Sequence, residues 1–406
     1  MIINKNFSSL LFGRVFVNMG DSLYYITIMW LIFDLTENTL FTGIAGALFM
    51  LPEVFSFFYG PIIDRCNQKR FLIIFTLLQS LIMLIVYLLY FSIAETVVYI
   101  ILFMIPFLAF FSEFTYPIEN ALIPRFVENK DLTKANSIMA IAADGIDLFF
   151  NAISGILIAI TSITSILLGN AVLFLLATLL FFRLKINGNH QNAEKVIHEE
   201  ESTYIIDLRE GIKFVKKKEI LALIIPFLLL NLLLATFTVN LPAISSTITQ
   251  SAISYGLLLT VSGLGSVVGA ITSNFISKKM KVGSIIISTV IFYGLSWLIG
   301  ISLGGFFIYI FSFLASIFIG IINVVFTVIF QELSPENMLG RVNTTIKSLI
   351  TIFMPMGALL GGWLPTTLGL KNTIIMNASL ILILAIVLLC MRSIRNMDVN
   401  IEEFEN

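Results

Sequence analysis

Acidic side chains stand inside several apolar stretches of the sequence, where a charge is costly. They are Asp21, Glu53, Glu113, Asp144 and Asp147. A charge within a bilayer-spanning segment costs several kcal/mol, so it typically marks a transport pathway or a proton relay. A carboxylate takes up a proton when it is desolvated and releases it when it is hydrated or paired. These residues therefore predict proton-coupling chemistry.

Asp21 is the first candidate for the coupling group, because it falls near the middle of the first apolar segment. Asp144 and Asp147 come next, since their spacing places them on one face of an α-helix, where neighbouring carboxylates can share a proton. Glu113 and Glu53 follow. The alternative for each acid is a structural role, in which it is hydrogen-bonded to a hydroxyl group, to the backbone or to a cation.

A single cation, Arg14, accompanies Asp21 in the first apolar segment. The two residues are two helical turns apart, which is about 10 Å along a helix axis. They lie on nearly the same face but do not touch. We therefore expect each of them to have a different partner.

The composition of the chain is that of a membrane protein. Of its 406 residues 58% are hydrophobic and 12% are charged, against about 25% charged in soluble domains. The net charge of -1 offers no basic surface for nucleic acid. The two His and two Cys have no metal-ligand spacing. We exclude a soluble enzyme and a nucleic-acid binder, and we predict no catalytic residue, no metal and no cofactor.

The apolar stretches predict twelve transmembrane helices, once the long charge-free runs are divided at their polar turns. Of the 24 Lys and Arg residues, only Lys371 falls in the loops on one side. The other side, which carries both termini, is therefore predicted to be cytoplasmic. The predicted spans are 8–34, 40–63, 71–93, 96–118, 136–160, 164–184, 220–245, 252–277, 282–303, 306–331, 342–366 and 372–392.

Two short loops recur along the chain at nearly the same spacing. The loop 60–70 is similar in sequence to 269–279, and the loop 132–136 is similar to 339–343. Such a repeat predicts two parallel six-helix halves, which is a transporter architecture with the substrate held near the midplane. The predicted domains are an N-terminal half at 1–184, a cytoplasmic central loop with an amphipathic helix at 185–219, and a C-terminal half with a short cytoplasmic tail at 220–406.

The two predicted halves differ in their ionisable residues. All five acids fall in the first half, whereas the second half offers Lys347 and the neutral amides Asn231, Asn240 and Asn323. We therefore predict that the first half carries proton coupling and that the second half mainly shapes the substrate cavity.

The loop 60–70, Gly-x-x-x-Asp-Arg-x-x-x-Lys-Arg, resembles the loop motif of the major facilitator superfamily. More narrowly, the chain resembles the macrolide-efflux and siderophore-exporter-like branch of the drug:proton antiporters, through 14–21, 124–136, 207–215 and 331–343. It lacks the span-four arginine of many such relatives. The resemblance implies that the loop latches the two halves in the outward-open state; the alternative is contact with lipid headgroups only. The predicted latch residues are Gly60, Asp64, Arg65, Lys69, Arg70 and Arg341.

The acids and the resemblance together predict a secondary active exporter rather than an enzyme. It would exchange protons for amphipathic small molecules, macrolide-like or lipophilic cationic drugs, by alternating access. Its partners would be the substrate, protons and the lipid bilayer, and it would act as a monomer in the bacterial cytoplasmic membrane. The alternative is an exporter of a native metabolite such as a siderophore or a lysolipid. A receptor or scaffold has no use for five buried acids, and the sequence has no nucleotide-binding loop for an ATP-driven pump.

Overall fold

The computed structural model describes residues 4–56, 59, 63, 66–91, 96–185, 218–333, 346 and 348–395. In these ranges the chain is helical and contains no strand. Nine of the described helices are long and apolar enough to cross a membrane, and two shorter apolar helices accompany them. The predicted fold class, an all-α membrane protein, is therefore confirmed, and the described helices are consistent with twelve spans.

The described residues of the N-terminal part form a series of α-helices. A π-helical segment, Ile141–Gly145, interrupts the fifth predicted span. The helices are α1 (Lys5–Thr36), α2 (Thr39–Val54), α3 (Gln68–Tyr90), α4 (Thr96–Phe126), α5 (Leu132–Ala140), α6 (Ile146–Ile160) and α7 (Ile163–Phe182).

The C-terminal part continues with long helices and two short ones. Gly304 and Gly305, with φ of 69° and 55°, form the predicted turn between its fourth and fifth helices. The helices are α8 (Lys218–Thr238), α9 (Leu241–Ser246), α10 (Ala252–Ser277), α11 (Val282–Leu303), α12 (Phe307–Leu333), α13 (Met354–Leu368), α14 (Leu370–Cys390) and α15 (Arg392–Arg395).

Predicted spans four, five and seven differ from the observed helices. Helix α4 continues to Phe126 instead of ending at 118, because its internal prolines are accommodated within one helix. The span 136–160 is broken by the π-helical segment. The span 220–245 breaks after Thr238, and α9 then begins at Leu241 with a proline in its first turn, a position where the missing N–H costs nothing.

The chain divides into two compact units. The first unit comprises Met1–Thr36 and Leu48–Ile206, and the second comprises Glu37–Ala47 and Asp207–Asn406. Helix α2 thus begins in the second unit and ends in the first. Most of the predicted central loop, with its amphipathic helix, lies outside the described residues.

In the second unit, glycines let helix backbones touch. A Cβ added at Gly269 of α10 would lie 2.0 Å from the carbonyl oxygen of Ile317 on α12, and one at Gly320 would lie 2.1 Å from that of Ser266. Such small-residue contacts are a usual means of packing helices in a bilayer. The backbones of helices α10 and α12 are therefore in direct van der Waals contact.

A second contact of this unit uses the carbonyl groups of α13. Thr236 donates its hydroxyl to the Gly357 oxygen at 2.9 Å, and Asn240 donates its amide to the Gly361 oxygen at 2.7 Å. The hydroxyl of Thr39, at the start of α2, donates to the Gly362 oxygen at 2.9 Å. Because the glycines of α13 have no side chains, these donors reach its backbone.

The outer surface of the helices is apolar. Large side chains such as Phe103 (69% exposed), Phe275 (69%) and Phe306 (70%) point away from the packed helices. A soluble protein does not expose this many large apolar groups in contiguous areas. The pattern fits a surface that faces lipid.

Candidate functional site in the membrane helices

One face of α1 carries polar side chains into the interior of the first unit. Arg14, Asn18, Asp21 and Ser22 are spaced so that they project from the same side of a helix. Together they contact α3, α4, the π-helical segment and α6. We call these four residues the polar face of α1.

The carboxylate of Asp21 is held by neutral donors. The Ser112 hydroxyl on α4 donates to one oxygen at 2.6 Å, and the Gln79 amide on α3 donates to the other at 3.4 Å. Among the described residues, no cation lies within 4.0 Å of this carboxylate. Asp21 is half-buried and lies about 24 Å from the first residue of α1, halfway along the helix.

Arg14 has found its partner in a residue that the sequence analysis missed. Its Nη1 lies 3.5 Å from the Glu119 carboxylate on α4, and its guanidinium lies over the Tyr116 ring at 4.6 Å from the centroid. Glu119 is fully buried and Arg14 is 8% exposed. Glu119 falls one residue beyond 118, the predicted end of span four, so it was not counted among the acids of the apolar segments. The need of Arg14 for an acidic partner was the available signal.

This buried pair is only partly satisfied. Neither Glu119 oxygen, nor the Nε or Nη1 of Arg14, makes a hydrogen bond to any residue that the structure describes. The attraction between two buried charges offsets the cost of removing them from water only when their other hydrogen-bonding groups also have partners. Burying this pair therefore has a high cost in desolvation free energy. The contact joins α1 to α4.

The π-helical segment packs on the polar face of α1. The Asn18 amide donates to the carbonyl oxygens of Ala142 and Ala143 at 3.3 and 2.7 Å. A π-helical turn displaces the regular i→i−4 bonds, and such turns are frequent at functional sites. Asn18 supplies hydrogen bonds to carbonyl groups in this segment, and the sequence analysis did not single it out.

Of the two predicted aspartates in this region, Asp147 lies beside the polar face of α1. The Ser22 hydroxyl donates to its carboxylate at 2.7 Å. Asp144 falls inside the π-helical segment. The prediction that both acids share one face assumed a regular α-helix through both residues, and the π-helical turn removes that basis.

The remaining predicted acids lie on neighbouring helices of the first unit. Glu113 follows Ser112 on α4 and is half-buried. Glu53 follows Pro52 near the end of α2 and is also half-buried. Of the ionisable residues predicted from the sequence, Arg14 and Asp21 lie on the polar face of α1, and Asp147 contacts this face through Ser22.

The predicted latch can be followed only at two of its residues. Lys69 donates to the Leu184 oxygen at 2.6 Å, just beyond the end of α7, and lies 5.6 Å from the Phe182 ring centroid. Arg70 is exposed. The contacts of Lys69 are thus inside the first unit. The other latch residues lie outside the described residues; they are Gly60, Asp64, Arg65 and Arg341.

The exposed loop after α4 carries a surface ion pair. The Lys130 ammonium lies 2.7 Å from the Glu128 carboxylate, and this contact lowers the pKa of Glu128 and raises the pKa of Lys130. Both side chains are more than 70% exposed. Exposed pairs of this kind contribute little to stability, so the loop pair is no part of the candidate site.

A cavity of about 420 Å³ lies within the second unit, between α8, α12 and the segment before α13. Two of the neutral amides noted in the sequence, Asn231 and Asn323, line it. The third, Asn240, instead joins α8 to α13 through its bond to Gly361. Lys347 lies outside the described residues.

The described helices define a multi-pass membrane protein that carries two candidate sites. The family model of the Major Facilitator Superfamily matches residues 10–248 and 227–403, which is nearly the whole chain. The chain belongs to this superfamily, and it is a transporter of that type. The predicted superfamily is thereby confirmed, and the macrolide-efflux branch stays a prediction.

Two relatives come from Bacillus subtilis (strain 168). The uncharacterized MFS-type transporter YvqJ is 24% identical over 376 residues, covering 91% of this chain and 88% of its own. The uncharacterized MFS-type transporter YfiS is 23% identical over 407 residues, covering 95% and 93%. The similarity therefore extends over nearly the full length of this chain and of each relative.

Solved structures share the fold. The nucleoside transporter NupG matches with a TM-score of 0.73 at 12% identity, over 96% of this chain and 99% of that one. A bacterial homolog of the human lysosomal transporter Spinster, inward-facing and unoccupied, matches with a TM-score of 0.71 at 12% identity, over 97% and 98%. At such identities the likeness concerns the fold alone.

Proposed function

We propose that this chain is a proton-coupled exporter of amphipathic small molecules, macrolide-like or lipophilic cationic drugs. It works by alternating access in the bacterial cytoplasmic membrane, with both termini in the cytoplasm. The coupling group is Asp21, and the polar face of α1 connects it to the other helices of the first unit.

The environment of the Asp21 carboxylate carries this proposal. Its partners are a hydroxyl group and an amide, Ser112 and Gln79. A hydroxyl group can donate to a carboxylate and can equally accept from a carboxylic acid. The same two contacts therefore suit both protonation states, whereas a fixed cation would hold the group charged. A carboxyl group that takes up and releases a proton during transport needs partners that suit both its charged and its neutral form.

Alternating access supplies the two environments that such a group requires. Water around a carboxylate favours its charged form, and removal of that water favours the neutral acid. A cationic substrate and a proton compete for one carboxylate, which gives exchange of one for the other. Asp147 and Glu113 are further acids in this region of the first unit.

An anionic substrate is less favoured by the observed contacts. Arg14 is already engaged by Glu119. A polyanion such as a siderophore would have to displace a buried carboxylate before it could use this cation. A native metabolite without negative charge remains the alternative substrate, and it would use the same coupling group.

The experiment is transport by purified protein in proteoliposomes under an imposed pH gradient. We expect a labelled macrolide or tetraphenylphosphonium to accumulate inside vesicles with an acidic lumen, and a protonophore to abolish this. In Asp21→Asn, gradient-driven accumulation should fall at least tenfold, while downhill exchange of substrate persists. Asp34→Asn is the matched control, because Asp34 is an exposed acid near the far end of the same helix.

Two results would overturn the proposal. If the unmodified protein accumulates substrate equally with and without the pH gradient, proton coupling is excluded. Accumulation by Asp21→Asn that matches the unmodified protein would remove Asp21 from the mechanism. Failure of both probes, with driven export of another cellular product that still requires Asp21, would identify a native-metabolite exporter.

A further inference from the structure

The cavity of the second unit has the size and lining of a small-molecule site. Its volume of about 420 Å³ falls in the range of roughly 300–1,000 Å³ that ligand pockets occupy. Helix α8 contributes Phe227 and Asn231, and α12 contributes Asn323 and Phe326. We call this cavity the α8–α12 pocket.

Two amide side chains in the α8–α12 pocket have unused hydrogen-bonding capacity. Neither Asn231 nor Asn323 hydrogen-bonds through its side chain to any residue that the structure describes. By contrast, the Thr327 hydroxyl is already donated to the main-chain oxygen of Asn323, at 2.9 Å. Each amide offers two N–H donors and one carbonyl acceptor. The pocket therefore presents donors and acceptors from two facing helices.

Apart from Thr327 and Thr351, the rest of the described lining is apolar, and it is uncharged. The rings of Phe227 and Phe326 pack against each other, with centroids 4.2 Å apart and planes inclined at 59°. Among the described lining residues there is neither an acid nor a base. An ion placed here would lose its hydration without gaining a counter-charge. The pocket suits a neutral molecule with an apolar body.

We propose that the α8–α12 pocket is a substrate subsite for uncharged amphipathic molecules that carry adjacent hydrogen-bond donors and acceptors, bound through Asn231 and Asn323. Polyhydroxylated lactones and neutral amides have this chemistry, whereas compact lipophilic cations do not. The inference rests on the proposed transport function and specifies the substrate class that this unit recognises.

The test is equilibrium binding to the full chain in lipid nanodiscs, without any gradient. The probes are a labelled uncharged macrolide aglycone and tetraphenylphosphonium. Asn231→Leu and Asn323→Leu should each weaken aglycone binding about tenfold, equivalent to about 1.4 kcal/mol, and change phosphonium binding less than twofold. Asn231→Asp should weaken aglycone binding and strengthen phosphonium binding. Asn372→Leu, which removes an exposed amide of α14 outside the pocket, should change neither.

Aglycone binding that survives both leucine variants would overturn the inference, and so would an unmodified protein that binds only the phosphonium or neither probe. Thermal stability of each variant separates loss of the site from loss of the fold, and Asn231→Asp gives a gain that misfolding cannot produce. If the leucine variants bind normally while Asp21→Asn abolishes driven export, the subsite fails and the proposed function stands. If the variants lose binding while export ignores the proton gradient, the subsite stands and proton coupling fails.

Discussion

The two compact units differ in the ionisable groups among their buried polar contacts. In the first unit, ionisable side chains meet other side chains, as in Arg14 with Glu119 and Asp21 with Ser112. In the second unit, hydroxyl and amide groups meet backbone carbonyl groups, as in Thr236 with Gly357. The first arrangement depends on protonation, and the second does not.

Under the proposed function, this difference assigns separate tasks to the two units. A contact that involves a carboxylate can be made or broken by a proton, so the first unit can respond to the proton gradient. A hydroxyl donated to a backbone oxygen stays the same over the accessible pH range. Within the described residues, the second unit is therefore suited to hold helices and to bind a neutral substrate.

The largest effect is expected from breaking the buried ion pair of the first unit. Arg14→Met or Glu119→Leu alone would leave an uncompensated buried charge, which costs about 3–5 kcal/mol. The double substitution removes both charges and should recover most of that loss. The measurement is the free energy of unfolding of all three variants in detergent micelles. Single variants as stable as the double variant would show that the pair carries no charge in the folded protein.

The next effect concerns the backbone packing of the second unit. Gly269→Ala places a methyl group 2.0 Å from the Ile317 oxygen, and such overpacking costs about 1–3 kcal/mol. Gly169→Ala is the control, because no atom lies within 4 Å of its added Cβ and alanine favours the helix. Thermal unfolding should separate the two. Equal transition temperatures would contradict the close packing of α10 and α12.

A matched pair of asparagines sharpens the comparison between the units. Asn18 and Asn240 each donate to two backbone oxygens, so Asn18→Leu and Asn240→Leu should each cost about 1–2 kcal/mol. Only Asn18→Leu should also slow proton-driven transport, because it releases the π-helical segment beside Asp147. Transport rates normalised to folded protein measure this. A similar slowing by both variants would remove the proposed division of tasks.

The smallest effect is expected at Lys69, the described lysine of the loop motif. Lys69→Met removes one bond to the Leu184 oxygen and should cost about 1 kcal/mol. Because that contact lies within the first unit, we expect export to fall less than twofold. A much larger fall in export at unchanged stability would instead favour the latch that the motif implies.

The sequence was sufficient for the fold class because a bilayer imposes long apolar segments. Helix α11, Val282–Leu303, coincides with the predicted span 282–303. The glycines that follow it adopt positive φ, as a turn requires. The break in span five was not predictable, because a π-helical turn changes hydrogen bonding without changing hydropathy.

The candidate site was only partly accessible from the sequence. Arg14 and Asp21 were found because charges in apolar segments are conspicuous. Glu119 was missed because the predicted span ends at 118, whereas the helix continues to Phe126. Asn18 was missed because a neutral amide carries no such signal, and its role depends on which backbone oxygens lie opposite. Contacts between helices decide such roles, and hydropathy does not report them.

The contact between Thr39 and Gly362 has a consequence for biosynthesis. Its two residues are 323 positions apart in the chain. At roughly 5–20 residues per second, the ribosome needs about 16–65 s to supply the second partner. Throughout that interval the start of α2 has entered the membrane without the helix against which it finally packs. An early translational arrest would therefore leave the start of α2, with the Thr39 hydroxyl, open to chaperones and to other nascent chains.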